Sequence, residues 1–142
     1  MKHLSKRFLR TLARLVALAL FIFGNCTMAS DSYIQRYQGS RLYAWDGKYL
    51  SQYQGSRLYE WDGHFISKYQ GSRRFEWDGN YVSEYQGSRI LEISGKRIRK
   101  YQGNTLFEWD GEYLQSYQGG RIFSVEGSVP QVILALLAAG YL

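Results

Sequence analysis

Cysteine and histidine are nearly absent from this sequence, and each scarcity excludes a class of protein. The single cysteine, Cys26, precedes the repetitive part of the chain, which therefore forms no disulfide. Only one histidine, His64, follows residue 3, and no nucleophile has a base beside it. The aspartates stand singly at Asp-Gly corners, not in the oxygen-rich loops that bind calcium. We therefore expect no enzyme activity, no cofactor and no metal.

Long apolar runs are also scarce, and the first of them belongs to a leader. LVALALFIF, residues 15–23, follows five basic residues and precedes the small residues Thr27 and Ala29. This order predicts a signal peptide over residues 1–29, because the run is shorter than the roughly 20 residues of a membrane span. We expect a periplasmic or secreted protein, or a membrane-anchored one if the leader is retained or Cys26 is lipidated. Phe-Gly-Asn before Cys26 matches a lipobox poorly.

The positive charge of the chain lies mostly in that leader. The whole sequence has 18 Lys and Arg, 12 Asp and Glu, and a net charge of +6. Residues 30–142 keep 13 of the basic residues and all 12 acidic ones, which leaves a net charge of +1. A nearly neutral domain gives no basis for binding nucleic acid through its overall charge.

The sequence does contain a repeat, with a glycine at every predicted turn. Tyr-Gln-Gly recurs every 16 residues from Tyr37 to Tyr117, and Asp-Gly or a variant lies midway, from Asp46 to Glu126. Asp-Gly favours a two-residue type I′ hairpin turn, because glycine adopts positive φ without strain. The spacing predicts six 16-residue hairpins, which are twelve six-residue strands over residues 32–127.

The hairpin register then sorts the side chains onto two faces. Two-residue turns pair Ile34 with Tyr43 and Gln35 with Leu42, and paired residues share a face. One mid-strand set is wholly apolar or aromatic, which predicts a core: Ile34, Tyr43, Leu50, Tyr59, Ile66, Phe75, Val82, Leu91, Ile98, Phe107, Leu114 and Phe123. A parallel solenoid of 16-residue coils is the alternative, but it buries a charge in nearly every coil, so the antiparallel meander is favoured.

The C-terminal segment supplies what such a meander needs to cover its apolar face. Open twisted sheets rarely exceed ~10 strands, and closure removes their edges. Ser128 is a candidate cap, Pro130 suits a first helical turn, and Val132 to Ala139 is apolar on all sides. We expect an all-β fold with one C-terminal helix over residues 129–142: a twelve-stranded antiparallel meander closed into a shallow barrel around that helix.

The repeat YQGSRLYEWDG and the tail VILALLAAGYL together resemble the bacterial β-flower proteins, which are barrels of aromatic-Gly hairpins. The architecture is also similar to tubby-like and scramblase-type domains, whose twelve-stranded barrel encloses an apolar C-terminal helix. The likeness covers residues 32–142. Tubby-like barrels imply phosphoinositide binding, although none of their binding residues is matched here, and the β-flower likeness implies a fold without a particular activity.

Three groups of side chains are candidate functional residues. An inner ring of four tryptophans at the acidic-turn end is either a closure of the barrel or an aromatic platform: Trp45, Trp61, Trp77 and Trp109. Basic residues at the Gln-Gly end predict a mouth that either neutralises the negative C-terminal end of the helix or binds an anion: Arg36, Arg41, Arg57, Lys68, Arg73, Arg89, Lys100 and Arg121, with Glu84 among them. An outward basic cluster is expected at Arg74, Arg97 and Arg99.

Two functions of different classes follow from these groups. The first is a non-enzymatic envelope or secreted barrel whose basic mouth binds an anionic lipid, a membrane surface or another anionic ligand. The alternative is a structural or assembly module with no small ligand, which interacts through outward tyrosines such as Tyr49 and Tyr81. A carbohydrate-binding adhesin has only the aromatic composition in its favour.

Overall fold

A computed structural model describes residues 31–142, and these residues form the closed barrel that the repeat predicts. Twelve antiparallel strands follow one another in chain order, and the last strand pairs with the first, Ile34 opposite Val125. The predicted signal peptide and Cys26 lie outside the described residues.

The strands are four to six residues long, shorter than predicted at most positions. In chain order they are β1 Ser32–Arg36, β2 Arg41–Trp45, β3 Tyr49–Gln52, β4 Arg57–Trp61, β5 Phe65–Lys68, β6 Arg73–Trp77, β7 Tyr81–Glu84, β8 Arg89–Ser94, β9 Arg97–Lys100, β10 Thr105–Trp109, β11 Tyr113–Ser116 and β12 Arg121–Glu126. Helix α1, Gln131–Ala138, follows them.

The apolar face of the meander surrounds α1 and forms one core with it. Ile34, Leu50, Ile66, Val82, Ile98 and Leu114 are 0% exposed, as are Leu134, Ala135 and Leu136 of α1. The predicted core face is confirmed, since its remaining members are buried or pack against the same cluster. Burial of apolar surface contributes about 25 cal/mol per Å², so the helix and the barrel stabilise each other.

The helix is shorter than the predicted span of 129–142, and its two ends explain the difference. Pro130, which has no amide hydrogen, is the N-cap, and Ser128 does not cap the helix. Instead, the Ser128 amide donates a hydrogen bond to Ser32 Oγ at 2.9 Å. At the other end Gly140 has a φ of 84°, and Tyr141 N–H donates to Leu136 O at 2.9 Å, as in a Schellman motif.

The acidic turns contain four residues, so the predicted two-residue turn is wrong there. Trp45 pairs with Leu50 and not with Lys48, so residues 46–49 make the turn between β2 and β3, although Tyr49 already pairs with Glu60 of β4. Asp46 Oδ1 accepts hydrogen bonds from the amides of Lys48 and Tyr49, at 2.9 and 2.7 Å, and an aspartate favours such an Asx turn. The register shifts by two residues, so each side chain keeps its predicted face.

The Gln-Gly turns also differ from type I′ turns, because glutamine rather than glycine has positive φ. Gln38 has a φ of 54° and is the third residue of a turn that Gly39 N–H closes on Arg36 O at 2.8 Å. Positive φ at that position is typical of a type II turn. A bulge follows: Ile34 pairs with Tyr43 as predicted, but Gln35 pairs with Arg41 and not with Leu42.

Candidate functional site

The tryptophan ring lies at the acidic-turn end of the barrel, where α1 begins. Trp45 is buried, and Trp61, Trp77 and Trp109 are half-buried against the core. Gln131 Nε2 of α1 donates a hydrogen bond to Gly95 O at 2.9 Å at this end. The tryptophans therefore pack against the core at the end of the barrel where α1 begins, and three of them keep part of their surface exposed.

The predicted basic mouth does not form as expected, because the bulges turn five arginines to the outer wall. Arg41 lies opposite the outward Gln35, and its Cζ is 3.9 Å from the ring centroid of Tyr33. The same shift occurs in four other hairpins, where the arginines stack over an outward aromatic ring at 3.8 or 3.9 Å: Arg57, Arg73, Arg89 and Arg121. The placement of these five arginines on the inner face is therefore wrong.

On the outer wall each arginine lies between two aromatic rings, an arrangement that we call the outer ladder. Arg57, for example, has Tyr49 at 3.9 Å and Tyr69 at 5.6 Å, and the two rings meet edge to face. An aspartate from the preceding acidic turn adds negative charge near several of these arginines. The Phe65 amide, which donates to Asp62 Oδ1, holds the pKa of that carboxyl below its usual value, and Arg73 adds to the effect.

One sector interrupts the outer ladder. Arg97 takes the place of the stacked aromatic residue, Thr105 the place of the arginine and Ser94 the place of the aspartate. Arg97 Cζ lies 5.9 Å from the Tyr117 ring, so a weaker contact replaces the stack. Arg99 is outward as predicted, since it pairs with Glu92, and its guanidinium donates to Gly103 O at 3.4 Å.

The opening at the Gln-Gly turns, which we call the Gln-Gly mouth, is ringed on its inner side by six residues at the strand ends. They pair with members of the core face and are Arg36, Gln52, Lys68, Glu84, Lys100 and Ser116. Lys68 is thus at the predicted mouth, unlike the five arginines. The ring has three cations and one carboxylate, so it remains positive.

Arg74 also belongs to this mouth, although the sequence placed it outside. Residues at the bulges turn partly inward, and Ile90 and Leu106 at equivalent positions pack against the core. Arg74 Cζ lies 5.8 Å from the ring of Phe75, which is buried. The signal that identifies Arg74 is a break in the repeat, since the five equivalent residues are leucine or isoleucine.

A cavity of about 550 Å³ opens beside Arg74 where the tail leaves the barrel. Its lining residues are Arg73, Arg74, Phe75, Glu84, Tyr85, Gly140 and Tyr141. Tyr141 meets Phe75 edge to face, with centroids 6.0 Å apart. The size lies in the range of small-molecule sites, roughly 300–1,000 Å³. This cavity is the candidate functional site, and of the predicted anion-binding residues it includes Arg73.

Neither a cluster of metal-binding side chains nor a membrane-spanning helix is present in residues 31–142. No group of three or more His, Cys, Asp and Glu side chains in that range is placed to hold a metal ion. Within the same range, no helix has the length and apolar character needed to cross a membrane. In the comparisons with known proteins, no family model, no curated protein and no solved structure matches the chain.

Proposed function

We propose that this protein is a non-enzymatic barrel that binds the anionic phosphate of a small ligand, such as a lipid headgroup, at the Gln-Gly mouth. The observation that carries the proposal is the position of Arg74, which lines the 550 Å³ cavity where the other hairpins have leucine or isoleucine. A guanidinium matches a phosphate in geometry and donates two parallel hydrogen bonds to it.

The charge around the cavity supports an anionic ligand. Arg36, Lys68 and Lys100 are exposed at the inner rim, and Arg74 adds a fourth cation. Against them stands Glu84, which lines the cavity. The mouth therefore keeps a positive charge on a domain whose net charge is only +1, and such a local field attracts anions.

A phosphodiester without other charge tests the proposal. Glycerophosphoglycerol is titrated into residues 30–142 by calorimetry, with glycerol as the control ligand. Arg74→Leu is expected to weaken binding at least about tenfold, because a hydrogen bond between charged groups is lost. Leucine already occupies the equivalent position in the preceding hairpin, as Leu58, so the variant should retain the fold.

Arg99→Leu is the matched control, since it removes the same charge from the outer wall. It is expected to leave the affinity for glycerophosphoglycerol unchanged. If the wild-type protein does not bind this diester, or if the two variants lose affinity equally, the mouth is not the binding site.

A second candidate function is assembly through the outer wall, with no small ligand. Tyr53 and Tyr117 are 36% and 39% exposed on the outer wall, and tyrosine is enriched at protein–protein interfaces. An assembly module predicts a mass that rises with concentration in sedimentation velocity, and Tyr53→Ser with Tyr117→Ser should reverse the rise. A monomer at all concentrations would reject this candidate.

A further inference from the structure

We infer that the ligand of the Gln-Gly mouth is zwitterionic, with an ammonium group that binds at Glu84 and a phosphodiester that binds at Arg74. The chemical class is that of a phosphoethanolamine ester. This inference rests on the proposed function and names its ligand more closely.

The first observation is that Glu84 is the one acidic residue among the six residues on the inner side of the Gln-Gly mouth. The five equivalent positions of the inner rim are basic or uncharged: Arg36, Gln52, Lys68, Lys100 and Ser116. A mouth that selected for negative charge alone would not place a carboxylate beside its binding cavity, since that carboxylate repels an anion. Glu84 lines the cavity, so its charge acts directly on whatever binds there.

The second observation is that the two exceptional charges come from the same hairpin. Arg74 lies in β6 and Glu84 in β7, and Glu84 pairs with Phe75, the neighbour of Arg74. Both side chains line one cavity. The repeat therefore departs from its consensus twice, with opposite charges, at a single place.

A mutual salt bridge does not account for this pair. In the described part of the chain, Arg41 and Glu126 form the one ion pair within 4.0 Å. The charged atoms of Arg74 and Glu84 are therefore more than 4.0 Å apart, and both side chains line the cavity. A ligand with charges of both signs bridges such a gap, and each of its ends then meets an opposite charge.

The aromatic lining provides the third observation. Phe75, Tyr85 and Tyr141 border the cavity next to Glu84, and aromatic faces attract ammonium groups. Tyr85 is 37% and Tyr141 38% exposed, so both rings are accessible from solvent. Phe75 is buried and the Tyr85 ring packs against Phe65 in the outer ladder, so Tyr141 is the ring that an ammonium held at Glu84 would contact.

Two phosphodiesters test the inference, one with ethanolamine as its second alcohol, which carries an ammonium group, and one with uncharged glycerol. Glycerophosphoethanolamine and glycerophosphoglycerol are titrated into the same protein by calorimetry. Wild-type protein is expected to bind the ethanolamine ester at least about tenfold more tightly, because it alone pairs with Glu84. Glu84→Gln, which copies Gln52 at the equivalent rim position two repeats earlier, should abolish this preference while the fold is retained.

Equal affinities in the wild type, or a preference that survives Glu84→Gln, would overturn the zwitterionic ligand and leave the proposed function standing. No binding of either ester would reject both. Vesicles of phosphatidylethanolamine then identify the source of the headgroup: protein that sediments with them binds the lipid, and protein that binds only the soluble ester uses a free ester.

Discussion

Arg41 Nη2 lies 2.8 Å from Glu126 Oε2, and this salt bridge joins β2 to β12 across β1. It therefore spans the seam where the first and the last strand of the meander close the barrel. Within residues 31–142, no other arginine of the outer ladder lies within 4.0 Å of a carboxylate. The acidic turns before Arg57, Arg73, Arg89 and Arg121 carry aspartate, whose side chain is shorter than that of Glu126.

Glu126→Gln is expected to weaken the seam only slightly. The two side chains are 34% and 50% exposed, and exposed ion pairs contribute about 0.2–1 kcal/mol. Urea unfolding at low and at high salt checks this, because screening should remove most of the difference between variant and wild type. A loss above that range that persists at high salt would contradict a purely electrostatic role.

Leu134→Ala should lower the free energy of unfolding much more than Glu126→Gln does, because it leaves a cavity at the centre of the barrel. Leu134 is 0% exposed, and such truncations destabilise proteins by about 2–5 kcal/mol. Leu42→Ala, at a half-buried bulge position, is the control and should cost less. The free energy of unfolding from urea titrations measures both, and equal losses would mean that α1 is not the filler of the barrel.

Glycine at the Asp-Gly turns is required by backbone conformation and not by lack of space. Gly63 has a φ of 96° and nothing within 4 Å of an added Cβ. Gly63→Ala should therefore destabilise the protein by about 1–3 kcal/mol. Gly120→Ala is the control, since that position is equally open and its φ is outside the left-handed region; it should be neutral or slightly stabilising. Similar effects of both changes in thermal unfolding would reject this explanation.

Acid should destabilise the barrel through the aspartates of its turns. Amide hydrogen bonds, from Tyr81 to Asp78 and from Tyr113 to Asp110, lower the pKa of these carboxyls below 3.8 in the folded protein. Their stabilisation is therefore fully present above the ordinary aspartate pKa and is lost as the pH falls below it, through the lower pKa of the folded state. Asp78→Asn should lower stability at pH 7 and make it less sensitive to acid, which urea midpoints at neutral and acidic pH would show. An acid sensitivity equal to that of the wild type would contradict the prediction.

The fold could be predicted because its main signal, the alternation of apolar and polar residues along each strand, does not depend on exact turn geometry. A register shift of two residues at Trp45 and Leu50 leaves every side chain on its face, so the core face was correct although the turn was not. The bulge after each Gln-Gly turn has the opposite effect. It displaces Arg57 to the outer wall and turns Arg74 inward, and alternation alone contains no sign of it.

The sequence consequently predicted only part of the candidate site. Lys68 and Glu84 lie where alternation placed them, because they precede the bulge in their hairpins. The contact between Phe75 and Tyr141 depends on how α1 ends, and no local pattern sets that geometry. Departures from the repeat were the informative signal, since Arg74 and Glu84 both stand out against their equivalents.

The pairing of the first strand with the last has a consequence for biosynthesis. Tyr33 meets Glu126 only after all twelve strands have been synthesised, and the helix that fills the centre comes later still. Each hairpin forms locally and quickly, but ring closure waits for β12. Until α1 has also been synthesised, nothing covers the apolar face of the meander, and a chaperone that shields this face would have to release it only after that point.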